Sequence, residues 1–262
     1  MCPLPIALNA TTMGKNDPYE ALPIAQRAGL QLIELTAGRS GRAMVAPHMS
    51  KEEVDLIRAR CERFGLRPLA LGAHRDLSVG EELGEFEALL RHASRLGCEL
   101  VTTALRDTAD EERYYEGLVR AAGLAEEMGL VICLENHGQR HGTGRSLLPM
   151  LTAGRAVALC YDTGNCYYYG GAEPGEDLRA CAAHVRHMHM KDKAGAYDEW
   201  NFPALGDGYA DLKGALALAG PSKGTTLSME IEFTPAGVGP AETEEAVCRS
   251  ARYLCNLLQG MQ

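Results

Sequence analysis

The sequence predicts a single-domain α/β protein, a closed (β/α)8 barrel running over residues 1–262. Three observations carry the expectation. A helical pattern that ends in glycine and feeds a strand-like run recurs at near-regular intervals, at Gly29, Gly65, Gly97 and Gly129. Glycine just past a helix end adopts the left-handed conformation that satisfies the last carbonyls, so each phrase reads as a helix stop before a strand. Eight such runs can be counted, and strands alternating with helices imply a parallel sheet. Finally, the later strands alternate in a way that suits closure. Val131, Cys133, Ala158, Cys160 and Ser228 share one face and are mostly small, while Ile132, Leu134, Val157, Leu159, Leu227 and Met229 face the other way, as a helix-covered barrel wall requires.

Taken in order, the expected strands are Pro5 to Ala10, Gln31 to Thr36, Pro68 to Ala73, Leu100 to Ala104, Val131 to Glu135, Ala156 to Asp162, Val185 to Met190 and Thr226 to Glu232. The helices between them carry their own start signals. Asp17-Pro18 places an N-cap before a proline at the first helical position. Ser50 and Glu53 form a capping box, after which Val54, Ile57, Cys61 and Phe64 recur at helical spacing. The last helix is expected from about Ala241 to Leu258, with Ala246, Ser250, Tyr253 and Leu257 on one stripe.

Composition bounds the function. Of the 262 residues 46% are hydrophobic and 23% charged, and no apolar run approaches a membrane span. The opening M-C-P-L-P-I-A-L-N lacks a basic leader-like segment and reads as a first strand. Nine cysteines without a C-x-x-C pair argue against a disulfide framework and fit a reducing cytoplasm. A net charge of −9 argues against a nucleic-acid surface.

The candidate chemistry sits at strand ends, where a barrel of this kind carries its active site. Val185 to Asp192 reads V-R-H-M-H-M-K-D, so His187 and His189 share a face and need hydrogen-bond partners or a metal if buried. Glu135, Asp162 and Glu230 each terminate a strand-like apolar run. Any one of these acids is equally an N-cap; four ligand-type residues in the same position are harder to explain that way. Asn9, Glu34 and His74 also stand at or near strand ends, with capping or loop hydrogen bonding as the plainer reading for Asn9 and His74. Two glutamates, an aspartate and a histidine suit one divalent metal, Mn²⁺ first, with Mg²⁺, Co²⁺ or Zn²⁺ as alternatives. Such an ion can polarise a carbonyl while a carboxylate moves a proton beside it.

Five motifs follow one another in order. They are E-N-H-G (Glu135 to Gly138), D-T-G (Asp162 to Gly164), H-x-H-x-K-D (His187 to Asp192), L-G-D-G-x-x-D (Leu205 to Asp211) and S-M-E-I-E (Ser228 to Glu232). Together they resemble the xylose isomerase-like barrel superfamily of sugar phosphate isomerases and epimerases. The resemblance implies that Glu135, Asp162, His189 and Glu230 hold the metal, and that Glu135 and Glu230 exchange the substrate proton. It leaves His187 and Lys191 for substrate oxygens or neighbouring carboxylates. Many relatives read D-T-G-H, but here Asn165 follows, which is neither acid nor base and makes a multi-metal endonuclease arrangement doubtful. Tyr167, Tyr168 and Tyr169 are read either as a wall of the sugar pocket or as a packed aromatic loop, and Trp200 as a lid in the loop after the seventh strand.

The expected activity is therefore that of a metal-dependent sugar isomerase or epimerase, like ketose epimerases or hydroxypyruvate isomerases. The alternative is a dehydratase or lyase acting on a keto-sugar or keto-inositol; an apurinic endonuclease-like enzyme or a non-catalytic sugar-binding barrel rank below it. The expected partner is a small-molecule sugar or sugar derivative, with no nucleic acid and no membrane, and homo-oligomerisation is left open. Expected substrate contacts are His187, Lys191, Asn165, Glu34, His74, Asn9 and Trp200.

Overall fold

Eight aliphatic runs take up extended backbone and close into one parallel barrel in chain order, the eighth strand hydrogen-bonded back to the first. The computed structural model describes residues 6–38 and 43–261. The strands are β1 (Ile6–Asn9), β2 (Leu32–Thr36), β3 (Arg67–Gly72), β4 (Leu100–Ala104), β5 (Val131–Glu135), β6 (Val157–Asp162), β7 (Val185–Met190) and β8 (Thr226–Met229). Pro5, the expected start of the first strand, lies outside the described residues.

The helix stops behave as the glycine pattern requires: Gly29, Gly65, Gly97 and Gly129 all have positive φ, between 66° and 79°. The capping box at Ser50 is formed, its hydroxyl accepting from Glu53 N while the Glu53 carboxylate accepts from Ser50 N. The helices that follow the strands are α1 (Ala21–Arg27), α2 (Lys51–Arg63), α3 (Gly80–Leu96), α4 (Glu111–Glu127), α5 (Thr163–Tyr168), α6 (Pro174–Cys181), α7 (Leu212–Ala219) and α8 (Pro240–Gln259). Between β5 and β6 the layer is instead a 3-10 helix, Arg145–Ala153, which contains Pro149. Proline lacks the N–H an α-helix interior needs there.

Strand alternation separates two apolar compartments. Ile132, Leu134, Val157, Leu159, Leu227 and Met229 join the core between barrel and helices. Ala7, Ala70, Cys133, Ala158 and Cys160 pack with a few leucines inside the barrel. Small interior residues leave space at that level for longer polar side chains, and it is there that Glu34, His187 and His189 enter. Register shifts at Ile33/Glu34 and Leu159/Cys160 bend the strands where they deliver these residues.

Two expectations are corrected. β8 ends at Met229 rather than Glu232: Phe233, at φ 55°, turns the chain away and pairs in an antiparallel bridge with Phe202. On α8 the buried stripe runs through Ala246, Val247, Ser250, Ala251, Leu254 and Leu258, while Tyr253 is exposed. Packing on the barrel selects the stripe next to the expected one, and Ser250 stays inside because its hydroxyl accepts from Leu205 N at 2.9 Å.

Candidate metal centre

β7 sets the geometry. His187 and His189 both point into the barrel, where Glu34 from β2 meets them and is itself wholly buried. His189 Nε2 lies 3.2 and 3.1 Å from the two Glu34 oxygens, and His187 Nε2 lies 3.2 Å from Oε2. Thr102 donates to the same carboxylate at 3.0 Å. Burial opposes the Glu34 charge, but His189 and His187 more than offset it and hold the carboxyl well below its usual range. An ionised carboxylate only accepts, so Nε2 of His189 carries a proton and Nδ1 is the atom left to coordinate.

That Nδ1 faces three acids. It stands 3.5 Å from Glu135 Oε1, 3.9 Å from Asp162 Oδ2 and 3.0 Å from Glu230 Oε2. One ligand atom from each of Glu135, Asp162, His189 and Glu230 can be chosen so that all lie within 4.8 Å of one another, and all four residues are buried. Ligands on opposite sides of an ion bonded at ~2.0–2.2 Å stand ~4–4.4 Å apart, so the cluster has the dimensions of a coordination shell. Asp162 Oδ2 and His189 Nδ1 are buried without an aligned hydrogen bond, although each lies 3.0 Å from a counter-charge. Buried groups of this kind are costly unless something satisfies them. Oxygen donors with one imidazole and no thiolate suit a divalent cation with open positions, and the residues present fit one.

Lys191, fully buried, is the resident positive charge. Its Nζ lies 3.0 Å from Asp162 Oδ2, 3.4 Å from Glu230 Oε1 and 2.7 Å from Glu232 Oε2. Burial disfavours the ammonium, but Asp162, Glu230, Glu232 and Glu135 outweigh it and raise its pKa well above the lysine range. Burial, with Glu230 and Glu135 close by, pushes the Asp162 carboxyl up to about 7 against the pull of Lys191 and His189. The lysine stem passes close to the backbone of the D-T-G turn. A Cβ on Gly164 would meet Lys191 Cγ and Cδ at 2.7 Å and Phe202 Cδ1 at 2.9 Å, which explains glycine at that position.

The motifs turn out to be physical units. Asn136 of E-N-H-G accepts from Asp162 N at 2.7 Å and donates to Asp162 O at 3.0 Å, fixing the end of β6 against β5. Asp162 Oδ1 caps α5 by accepting from Asn165 N at 2.7 Å, so this acid is both N-cap and member of the cluster. Asp192 accepts from the N–H groups of Lys193, Gly206, Gly208 and Ala210 at 2.8 to 3.1 Å, and therefore folds L-G-D-G onto H-x-H-x-K-D. Those N–H groups are spent on a carboxylate and cradle no phosphate.

A cavity of about 320 Å³ opens over the cluster. Asn9, His74, Asn165, Lys191 and Trp200 line it, together with Glu135, His189 and Glu230. Asn9 donates to Glu230 Oε2 at 3.3 Å, Asn165 to Glu135 Oε1 at 2.9 Å, and His74 Nε2 pairs with Glu135 Oε2 at 3.0 Å. Glu34 and His187 do not line it: they lie beneath the cluster, and His187 Nδ1 is taken up by Thr226 Oγ1 at 2.7 Å. Tyr167 is buried and donates to Glu173, whereas Tyr168 and Tyr169 pack edge-on against Trp200, so the tyrosines support the wall from behind. His137, Arg106 and Glu232 also line the cavity. His137 stands inside E-N-H-G, and its place in the motif was the available signal; nothing in the sequence around Arg106 marks it.

The fold and site together define a parallel α/β barrel with a buried carboxylate–imidazole cluster at its C-terminal mouth. A family model described as xylose isomerase-like TIM barrel matches residues 22–256, and the chain belongs to that family. A Mycobacterium smegmatis xylose isomerase-like TIM barrel protein in complex with magnesium superposes with a TM-score of 0.78 at 16% identity, covering 98% of this chain and 97% of that one. The IOLI protein with a binding zinc atom gives 0.75 at 17% identity over 98% and 99%. D-psicose 3-epimerase with D-tagatose, from Clostridium cellulolyticum, gives 0.72 at 17% identity over 98% and 97%. These likenesses establish the fold. An inosose dehydratase of Geobacillus kaustophilus is 36% identical over 84 residues, a stretch that spans 31% of this chain and 27% of that protein. Among the described residues, no helix is long and apolar enough to cross a membrane.

Proposed function

We propose that the protein is a metal-dependent sugar isomerase or epimerase that moves a proton at the carbon beside a carbonyl. The observation that carries this reading is the buried set of Glu135, Asp162, His189 and Glu230, with two polar atoms lacking aligned partners, on the floor of a cavity of sugar size. A divalent ion, Mn²⁺ in the first instance, would polarise the substrate carbonyl and hold the negative charge that develops on its oxygen. Glu135 and Glu230 arrive from β5 and from just beyond β8, both facing the cavity, so their carboxylates reach the reacting carbon from different sides. Asn165 and His74 hold Glu135 in place, and Asn9 holds Glu230. Lys191 and His74 line the cavity beside the space the substrate would fill, and Trp200 closes one side of it.

Supporting the reading are the family membership and the fold shared with an epimerase. The local match to an inosose dehydratase favours a second outcome of the same proton abstraction, loss of a β-hydroxyl as water. Turnover of ketoses in deuterated water tests both. Deuterium at the carbon beside the carbonyl, with an isomeric product, is the expected result; product formed without solvent hydrogen there counts against proton transfer. Release of water instead of an isomer assigns the dehydratase outcome.

A further inference from the structure

The cavity over the cluster does not end at its own wall. A second chamber of about 360 Å³ continues outward between the loops after β1 and β8. The two share Thr11, Thr36, Gly38, Trp200 and Glu232, so Trp200 and Glu232 stand at the junction. The junction is built with care. Phe202 N donates to Phe233 O at 3.0 Å and Phe233 N to Phe202 O at 2.8 Å, tying the Trp200 loop to the Glu232 loop. Phe233 is the one non-glycine residue with positive φ among those described, a conformation a bulky residue adopts only when its surroundings impose it. Lys191 holds Glu232 from the inner side at 2.7 Å.

The described lining of the outer chamber has a sugar-like complement. Asn16, Thr11 and Thr234 supply hydroxyl and amide groups, while Met13, Pro18 and Pro235 supply apolar surface. Among the described residues its one cation, Lys15, donates to Pro235 O at 3.3 Å, and Glu232 adds a negative charge. Pockets that take small ligands run from ~300 Å³ upward, so each chamber is large enough for a ring-sized unit.

We propose that the cleft has two subsites and that the substrate is extended: a keto-sugar unit reacts in the inner chamber while a second, uncharged hydroxylated unit, as in a disaccharide or glycoside, occupies the outer one. This rests on the proposed function for the identity of the inner unit. The second unit does not react; its binding holds the reacting unit against Glu135 and Glu230.

The test is calorimetric binding to the metal-loaded protein of D-fructose and of isomaltulose, turanose and leucrose, which join glucose to different oxygens of the same ketose. At least one disaccharide is expected to bind about tenfold or more tighter than D-fructose, as an added subsite implies. Thr234→Trp and Asn16→Leu should each remove that gain while leaving D-fructose binding and metal content unchanged. The inference is overturned if D-fructose binds as tightly as all three, if the gain survives both substitutions, or if D-fructose 6-phosphate outbinds the disaccharides. The affinity ratio decides the matter even where no hydrogen exchange occurs at carbon, an outcome that removes the proton-transfer reading alone.

Discussion

Glu34→Gln changes one atom in a residue that touches neither cavity nor substrate, yet the geometry makes it a test of the whole centre. The carboxylate accepts from His189, His187 and Thr102 at 3.0 to 3.2 Å in a fully buried setting. A glutamine amide offers one oxygen and an NH₂ group, so one imidazole nitrogen would face a donor. Where that nitrogen is His189 Nε2, the clash is relieved by moving its proton to Nδ1, the atom aimed at Glu135, Asp162 and Glu230. Loss of such an outer partner typically costs ~10–100-fold in metal affinity, equivalent to ~1.4–2.8 kcal/mol. A buried donor left without its acceptor costs a further ~1–3 kcal/mol of stability. The assay is calorimetric titration of chelator-stripped protein with Mn²⁺, beside thermal unfolding with and without the ion. Thr102→Val serves as control, since it removes a Glu34 contact without touching either histidine. A Glu34→Gln variant that unfolds earlier but binds Mn²⁺ with wild-type affinity would refute the reasoning and reduce Glu34 to a packing role.

Three further outcomes are expected. Glu230→Gln should lower metal content by more than the ~10–100-fold in affinity that outer partners command, and equal content by elemental analysis in variant and wild type would remove Glu230 from the shell. Lys191→Met keeps the apolar stem beside Phe202 but deletes an ammonium that contacts three carboxylates. Metal content should stay near wild type while kcat/KM falls about 10–100-fold, in line with ~1.5–3 kcal/mol for a hydrogen bond to a charged group; loss of the metal would show that Lys191 shapes the shell itself. Gly164→Ala should destabilise by ~1–3 kcal/mol through overpacking, read as a lowered Tm. Adding Lys191→Ala should restore part of it, because Lys191 Cγ and Cδ are the atoms the new methyl would strike; no recovery would place the strain at Phe202 instead.

The barrel was legible in the sequence because its signals are local and repeated. A glycine after each of the first four helices, an aliphatic run after each of those glycines and a parity rule within each run need no knowledge of distant partners, and positive φ at Gly29, Gly65, Gly97 and Gly129 reflects the backbone chemistry that made them readable. Strand-end acids were legible for the same reason, since a closed parallel barrel brings every strand's C-terminal end to one mouth. What stayed hidden depends on depth and on contacts across the barrel. Asn9 and Glu34 are register partners on β1 and β2, and the sequence marks both only as polar residues at or near a strand end, with capping the plainer reading for Asn9 alone of the two. The fold sends Glu34 beneath the cluster to hold His187 and His189, and leaves Asn9 facing the cavity against Glu230. The register shift at Ile33/Glu34 accompanies that difference, and a bulge of one residue leaves no compositional trace. Asp192 shows the converse. Three of its four backbone partners, Gly206, Gly208 and Ala210, lie in L-G-D-G-x-x-D, so two motifs that look separate along the chain are one carboxylate-centred turn. The consequence reaches the site, because the same turn anchors the residue next to Lys191. Motif order in this chain therefore records which strand ends must be locked together to keep one buried ammonium in register with the carboxylates of Asp162, Glu230 and Glu232.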